Sequence, residues 1–192
     1  MRAGFRKRKK RRFGLSMYLE GLGFHSTGRL LEVSHVTVMN RVRGYGSEPG
    51  SIRNSKPVCI MKLDEMHSCV GRKKTPVGLD CADREARGYI DFVVGDRSAA
   101  TGRKLWEKVR RSATGTVAPD HWKSYNEFVP KEQPVQTKAE TCTMESYNGQ
   151  IRHFPARFRR KTKCYSKSTE MMTLSLMLLM AKRNKLISIQ TY

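Results

Sequence analysis

Carboxylates are the scarcest chemistry in this chain. Only 17 Asp and Glu stand against 38 Lys and Arg, for a formal charge of +21 over 192 residues. Such an imbalance costs self-repulsion and serves a polyanionic partner, with nucleic acid ahead of an anionic membrane surface. Long apolar runs are also missing. The most apolar stretch, Met171–Met180, is about half a bilayer span and carries Thr173 and Ser175, so no membrane partner is expected. Behind the basic run Arg2–Arg12, the segment Phe13–Leu22 is interrupted by Gly14, Ser16 and Glu20, and no signal peptide is expected. The five cysteines show no CxxC spacing, which argues against a disulfide framework or a zinc ribbon and for a reduced compartment, so a cytoplasmic protein is expected. Gly71, Gly78 and Gly95 form no phosphate-binding loop, so nucleoside triphosphate chemistry is not indicated.

What is present divides into segments. Residues 1–12 form a basic tail, expected to be solvated and disordered until it tracks DNA phosphates. Residues 13–46 predict a small all-α domain of three short helices. The first carries Leu15, Leu19 and Leu22, the second is capped by Ser26, and the third is capped by Ser34 and stopped near Gly44 and Gly46. The link Glu32–Val33–Ser34 between the last two predicts a helix-turn-helix. Its third helix would present His35, Thr37, Asn40, Arg41 and Arg43 to the major groove of double-stranded DNA. The turn favours Gly, and Glu32 would cost about 1 kcal/mol there.

Residues 47–56 have linker composition, and 57–192 read as one α/β domain. Val58–Leu63, Val77–Cys81, Tyr89–Val94 and Thr116–Ala118 are expected strands, with a helix capped by Ser98 before the last of them. A short helix over Trp122–Phe128, a strand over Pro134–Lys138, a helix from near Thr143 and a final helix opened by Ser166 complete the pattern. That order is consistent with an RNase H-like core.

Asp64 follows the apolar strand CIMKL, Asp120 follows TVAP, and Glu145 opens a helix. Three carboxylates gathered at one sheet edge repel one another unless hard divalent cations lie between them, with Mg²⁺ or Mn²⁺ preferred. Two of the three also have an ordinary account, Asp120 as a helix cap and Glu145 as a favourable charge at a helix start, whereas Asp64 ending an apolar strand is costly unless paired or ligated. From Glu145 to Glu170 no acid intervenes, while Arg152, Arg157, Arg159, Arg160, Lys161, Lys163 and Lys167 are interleaved with Tyr147, Phe154, Phe158 and Tyr165. Arg152, Arg157, Arg159, Arg160 and Lys161 are expected to grip phosphates, and Tyr147, Phe154 and Phe158 either stack on unpaired bases or pack in the core.

The blocks DEMHSCVGRKK, GDRSAATGRKLWEKV, DHWKSYNEFVPKEQ and MESYNGQIRHFPARFRRKT followed by CYSKS together resemble the insertion-sequence-1 family of bacterial transposases, over about Phe24 to Asn184. The resemblance implies a DDE enzyme in which Asp64, Asp120 and Glu145 hold the metal ions, with Asn148 and Lys161 as substrate-positioning residues. It implies DNA strand cleavage at element ends and strand transfer into target DNA by a homo-oligomer. The chain departs from the pattern at His67, where an aromatic is usual, at Pro119, and in a shortened hairpin around Thr75–Gly78. It also begins after the point where a zinc finger often stands in the family. Those departures set out the alternative, a catalytically impaired DNA-binding regulator of transposition.

Overall fold

Helix begins earlier in the chain than the basic composition suggests. In the computed structural model, which describes residues 2–50, 52, 58–70, 73–83, 88–111, 113–119, 142–159 and 161–189, the first helix, α1, runs Arg2–Leu19. The expected disordered tail is therefore helical. Lys and Arg are good helix formers, and the segment continues without a break into a turn that buries Leu15, Tyr18 and Leu19. Helices α2 (Phe24–Leu31) and α3 (His35–Ser47) follow.

Contacts divide the chain into two compact units, Met1–Gly50 with Gln150–Tyr192, and Ser51–Gly149. That division differs from the expected single domain over 57–192, because the C-terminal segment packs with the N-terminal helices. In the first unit α2 is capped by the backbone of Gly23, not by Ser26. The Ser34 hydroxyl does cap α3, accepting from the Val36 amide at 3.2 Å.

The turn between α2 and α3 has a left-handed residue, and it is Glu32, at φ 53° and ψ 44°. Its N–H reaches the Arg29 carbonyl, and the Val33 N–H reaches the Gly28 carbonyl at 2.9 Å, closing the helix end. Gly28 makes the close return possible, since a Cβ there would stand 2.7 Å from the Val33 carbonyl oxygen. Helix α6 (Thr169–Arg183) begins at Ser168, whose hydroxyl accepts from the Met171 amide at 3.2 Å. Ser166, the expected cap, is buried instead and bonded elsewhere. At Gly46 the backbone of Leu174 in α6 comes within reach of α3.

The second unit holds a four-stranded mixed sheet in the order β3-β2-β1-β4, formed by β1 (Val58–Val70), β2 (Lys73–Asp83), β3 (Gly88–Phe92) and β4 (Ala113–Pro119). The first three strands are antiparallel neighbours, and β4 lies parallel to β1. A parallel neighbour requires a crossover, which helix α4 (Ala99–Val109) supplies between β3 and β4. Ser98 caps α4 as expected, accepting from the Thr101 amide at 3.3 Å. Leu105, Trp106 and Val109 of α4 pack on Met61, Leu63, Ile90 and Val117 from three strands. Fully burying each of these aliphatic side chains contributes about 1.5–3 kcal/mol.

Strand β1 continues through position 64 to Val70, where the sequence suggested an end at Leu63. It stays paired with β2 from Met61↔Asp83 to Val70↔Lys73, with one irregularity between Glu65 and Met66. The stretch Thr75–Gly78 lies within β2 of this hairpin. Helix α5 runs Cys142–His153. The segments 122–128 and 134–138, expected as helix and strand, lie outside the described residues. No described helix is long and apolar enough to cross a membrane.

Candidate active site and nucleic-acid interface

The sheet register organises the carboxylate positions. Leu63 of β1 is the parallel partner of Pro119, the last residue of β4. Asp64 is the next residue of β1, and Asp120, which follows Pro119 in the chain, lies outside the described residues. Across the antiparallel hairpin, Asp64 is the Cα partner of Asp80. Sequence reasoning did not single out Asp80, because no local pattern reveals a cross-strand partner. Like charges at directly opposed positions destabilise a sheet unless something intervenes.

Glu145 lies in the first turns of α5. Two residues later, the Tyr147 carbonyl accepts a hydrogen bond from the Tyr89 hydroxyl at 3.2 Å, and the two rings meet edge to face at 5.0 Å. That contact ties the start of α5 to β3. Asn148 is buried on the next step of the helix. Among the described side chains, no group of three His, Cys, Asp or Glu gathers to hold a metal ion; the three candidate carboxylates are not among those side chains.

Asp96, a further acid near this sheet, is engaged locally. One carboxylate oxygen accepts from the Ser98 and Thr101 hydroxyls, the latter at 2.7 Å. The hydrogen bond from Ser98, then that from Thr101, holds its carboxyl below the usual range. It shapes the entry to α4.

In the helical unit, α3 exposes His35 and Asn40, with Thr37, Arg41 and Arg43 half-buried. His35 stacks on His25 with ring centroids 4.0 Å apart, and the Asn40 side-chain oxygen accepts from Arg43 at 3.4 Å. Burial, followed by the nearby charge of Arg11, lowers the Arg41 guanidinium from its ordinary value.

The basic strip separates into different roles. Arg157, expected on phosphate, is 6% exposed. Its Nε donates to the Tyr18 hydroxyl oxygen at 2.6 Å, and its Nη1 donates to the Ser166 hydroxyl. The guanidinium also lies over the Phe24 ring at 4.9 Å from the centroid. Arg157 is therefore a buried pin, and its assignment to DNA is corrected. Burial raises the Tyr18 hydroxyl above its ordinary value, against the opposing charge of Arg157.

Arg159 donates twice to the His153 carbonyl, at 3.2 and 3.1 Å, while remaining exposed. Lys161 is exposed with φ 55°, and Arg152 is half-buried. Arg160 lies outside the described residues. Of the aromatics expected on unpaired bases, Tyr147 and Phe158 are core residues at 6% and 5% exposure, and Phe154 lies beneath Arg183 at 4.0 Å. The exposed ring of the strip is Tyr165, at 44%.

A mixed α/β unit and a strongly basic helical unit together suit a protein that acts on DNA, and comparison with known proteins gives the class as transposase. Residues 57–183 match the IS1 transposase family, and the chain belongs to that family. It is 33% identical over 112 residues to the insertion element iso-IS1n protein InsB of Shigella dysenteriae, covering 58% of this chain and 86% of that protein. Among solved structures it is similar to a chain in a simian T-cell lymphotropic virus intasome in complex with PP2A regulatory subunit B56 gamma. There the TM-score is 0.39 at 12% identity, covering 67% of this chain and 54% of that one.

Proposed function

We propose that this protein is a metal-dependent transposase that cuts DNA at the ends of its element and joins them to target DNA, using Asp64, Asp120 and Glu145 on an RNase H-like core. The observation that carries the proposal is the parallel pairing of Leu63 with Pro119. Asp64 is the residue after Leu63 on β1, and Asp120 follows Pro119 in the chain, so each acid comes one residue after a paired position on adjacent parallel strands that lie about 4.8 Å apart along the hydrogen-bonding direction. Position 64 alternates with Leu63, which faces α4, and so belongs to the opposite face of the sheet. Tyr89 alternates in the same way with Ile90, and Tyr89 is where α5 docks. The register sets Tyr89 level with position 62, about 7 Å along the strands from position 64. Glu145 precedes the docking residue Tyr147 by two positions on α5.

A donor set of hard carboxylate oxygens fits Mg²⁺ or Mn²⁺, with Asp80 as a further acid beside Asp64. Bound there, two such ions supply an activated water or 3′-hydroxyl and stabilise the leaving oxygen. The chain's own part is to carry Asp64 on β1 and Glu145 on α5, and to hold DNA through its exposed cations. No protein nucleophile is required.

We read α2 and α3 as the helix-turn-helix that binds double-stranded DNA, with the protein acting in the cytoplasm as a homo-oligomer on its element ends. Arg41, Arg43, Lys161 and the exposed lysines around Tyr165 serve as phosphate contacts in this reading. The alternative of a catalytically impaired regulator drew on Pro119 and the short hairpin. Among the described strands β4 is the outermost, where a missing N–H at Pro119 is tolerated, and β1 and β2 pair from Met61↔Asp83 to Val70↔Lys73 with one irregularity. Neither departure interrupts the described sheet, which supports the enzyme reading. Purified protein, labelled terminal DNA and Mn²⁺ test it: joined product supports the proposal, and tight binding without any cleavage supports the regulator.

A further inference from the structure

Arg41 occupies a position that leaves it incompletely satisfied. Its Nη1 lies beside α1, 3.8 Å from the point where a Cβ on Gly14 would stand, and this nitrogen is buried without a hydrogen-bond partner among the described residues. Arg11, exposed and one turn earlier on α1, extends from the same helix face as Gly14. Burial lowers the Arg41 guanidinium from its ordinary value, and Arg11 adds to this as a like charge. Neither arginine has an ion pair with a described carboxylate. Two guanidiniums from different helices therefore converge with one donor unmet, and both conditions are relieved by an oxyanion set between them.

We infer that Arg11 of α1 and Arg41 of α3 form a two-armed clamp for one phosphodiester of duplex DNA. The inference deepens the DNA-binding reading above and depends on it. It joins Arg41, already read as a phosphate contact, to a second arm from Arg11, and it gives α1 a place in the interface. A phosphate entering the clamp draws the Arg41 side chain off Gly14, so its buried Nη1 gains an acceptor. The flat guanidinium fork suits bidentate contact with phosphate oxygens, which an ammonium cannot reproduce.

The test measures binding of the full chain to a labelled duplex by fluorescence anisotropy across a series of salt concentrations. Arg11→Gln, Arg41→Gln and the double variant are compared with Arg29→Gln, an exposed α2 control. Each clamp variant should weaken binding about tenfold, the size of one charge-assisted hydrogen bond. Each should also flatten the logarithmic salt slope by about one, for scrambled and element-end duplexes alike. The double variant should lose less than the product of the two single losses, because both arms hold one phosphate. Arg41→Lys should keep the slope but bind more weakly than the wild type.

Wild-type protein that binds duplex while the clamp variants bind equally well overturns the inference alone. Wild-type protein that binds no duplex overturns the DNA-binding reading with it. Thermal stabilisation by inorganic phosphate, lost in Arg41→Gln, with no effect of either arginine on duplex affinity, marks a free-anion site and also overturns the clamp on DNA.

Discussion

The Nε of Arg157 donates to the hydroxyl oxygen of Tyr18 at 2.6 Å, joining residues 139 positions apart in the chain. The Tyr18 hydroxyl in turn lies 2.7 Å from Ser175 Oγ, which donates to the Met171 carbonyl. Tyr18 therefore donates to Ser175 while accepting from Arg157. This buried chain connects α1, the Ala156–Phe158 turn and α6 within one unit.

Removing either end of that link should destabilise the protein without touching its DNA contacts. Arg157→Ala should cost about 3 kcal/mol and Tyr18→Phe about 2 kcal/mol, since each leaves buried polar groups unpaired. Urea midpoints measure the loss. The salt slope of DNA binding, measured at temperatures where the variants remain folded, should stay at the wild-type value. A flattened slope in Arg157→Ala would restore Arg157 to the phosphate interface.

Glu32 holds a left-handed backbone that an L side chain adopts reluctantly. Glu32→Gly should raise stability by up to about 1 kcal/mol, relieving that strain against the extra freedom of glycine in the unfolded chain. Thermal melts check it. A lower melting temperature would show that the Glu32 side chain makes a contribution larger than the strain.

The Asp96 carboxyl is lowered by its Ser98 and Thr101 hydrogen bonds, so folding favours its ionised form. The stability it contributes is present above the ordinary carboxylate value and is lost as pH falls through the depressed folded value. The difference in urea midpoint between wild type and Asp96→Asn should therefore be widest near neutral pH and shrink in acid. A gap that stays constant down to about pH 2.5 would refute the linkage.

Asp64→Asn and Glu145→Gln should each reduce Mg²⁺-dependent cleavage on the order of a thousandfold, because each removes a charged ligand of the proposed metal site. Affinity for terminal DNA should change by less than about threefold, since phosphate contacts lie elsewhere. Asp80→Asn should produce a smaller loss and a higher requirement for Mg²⁺. Cleavage by Asp64→Asn at the wild-type rate would remove position 64 from the mechanism.

Short-range signals in the sequence were reliable where the physics is short-range. Ser34 and Ser98 cap the helices expected of them, because a cap joins a hydroxyl to an amide two or three residues away. The apolar strand from Val58 and the face Leu105, Trp106 and Val109 are equally local patterns, set by backbone period. Ser166 shows the limit of such reasoning. Its neighbour Ser168 caps α6, and what separates two nearby serines is a distant arginine that needs one of them.

The carboxylates divide in the same way. That Asp64 follows an apolar strand was visible in the chain, as was the acid-free stretch from Glu145 to Glu170. That Asp64 opposes Asp80, and that Leu63 lies beside Pro119, depended on register, which arises only when separate strands pair. Arg157 and Arg159 carry the same side chain two residues apart, yet one is enclosed by Tyr18 and Phe24 and the other remains exposed. Composition determined that this protein would be a cation-rich partner of a polyanion. Tertiary packing decided which cations were left to meet it, because burial depends on neighbours far away in the chain.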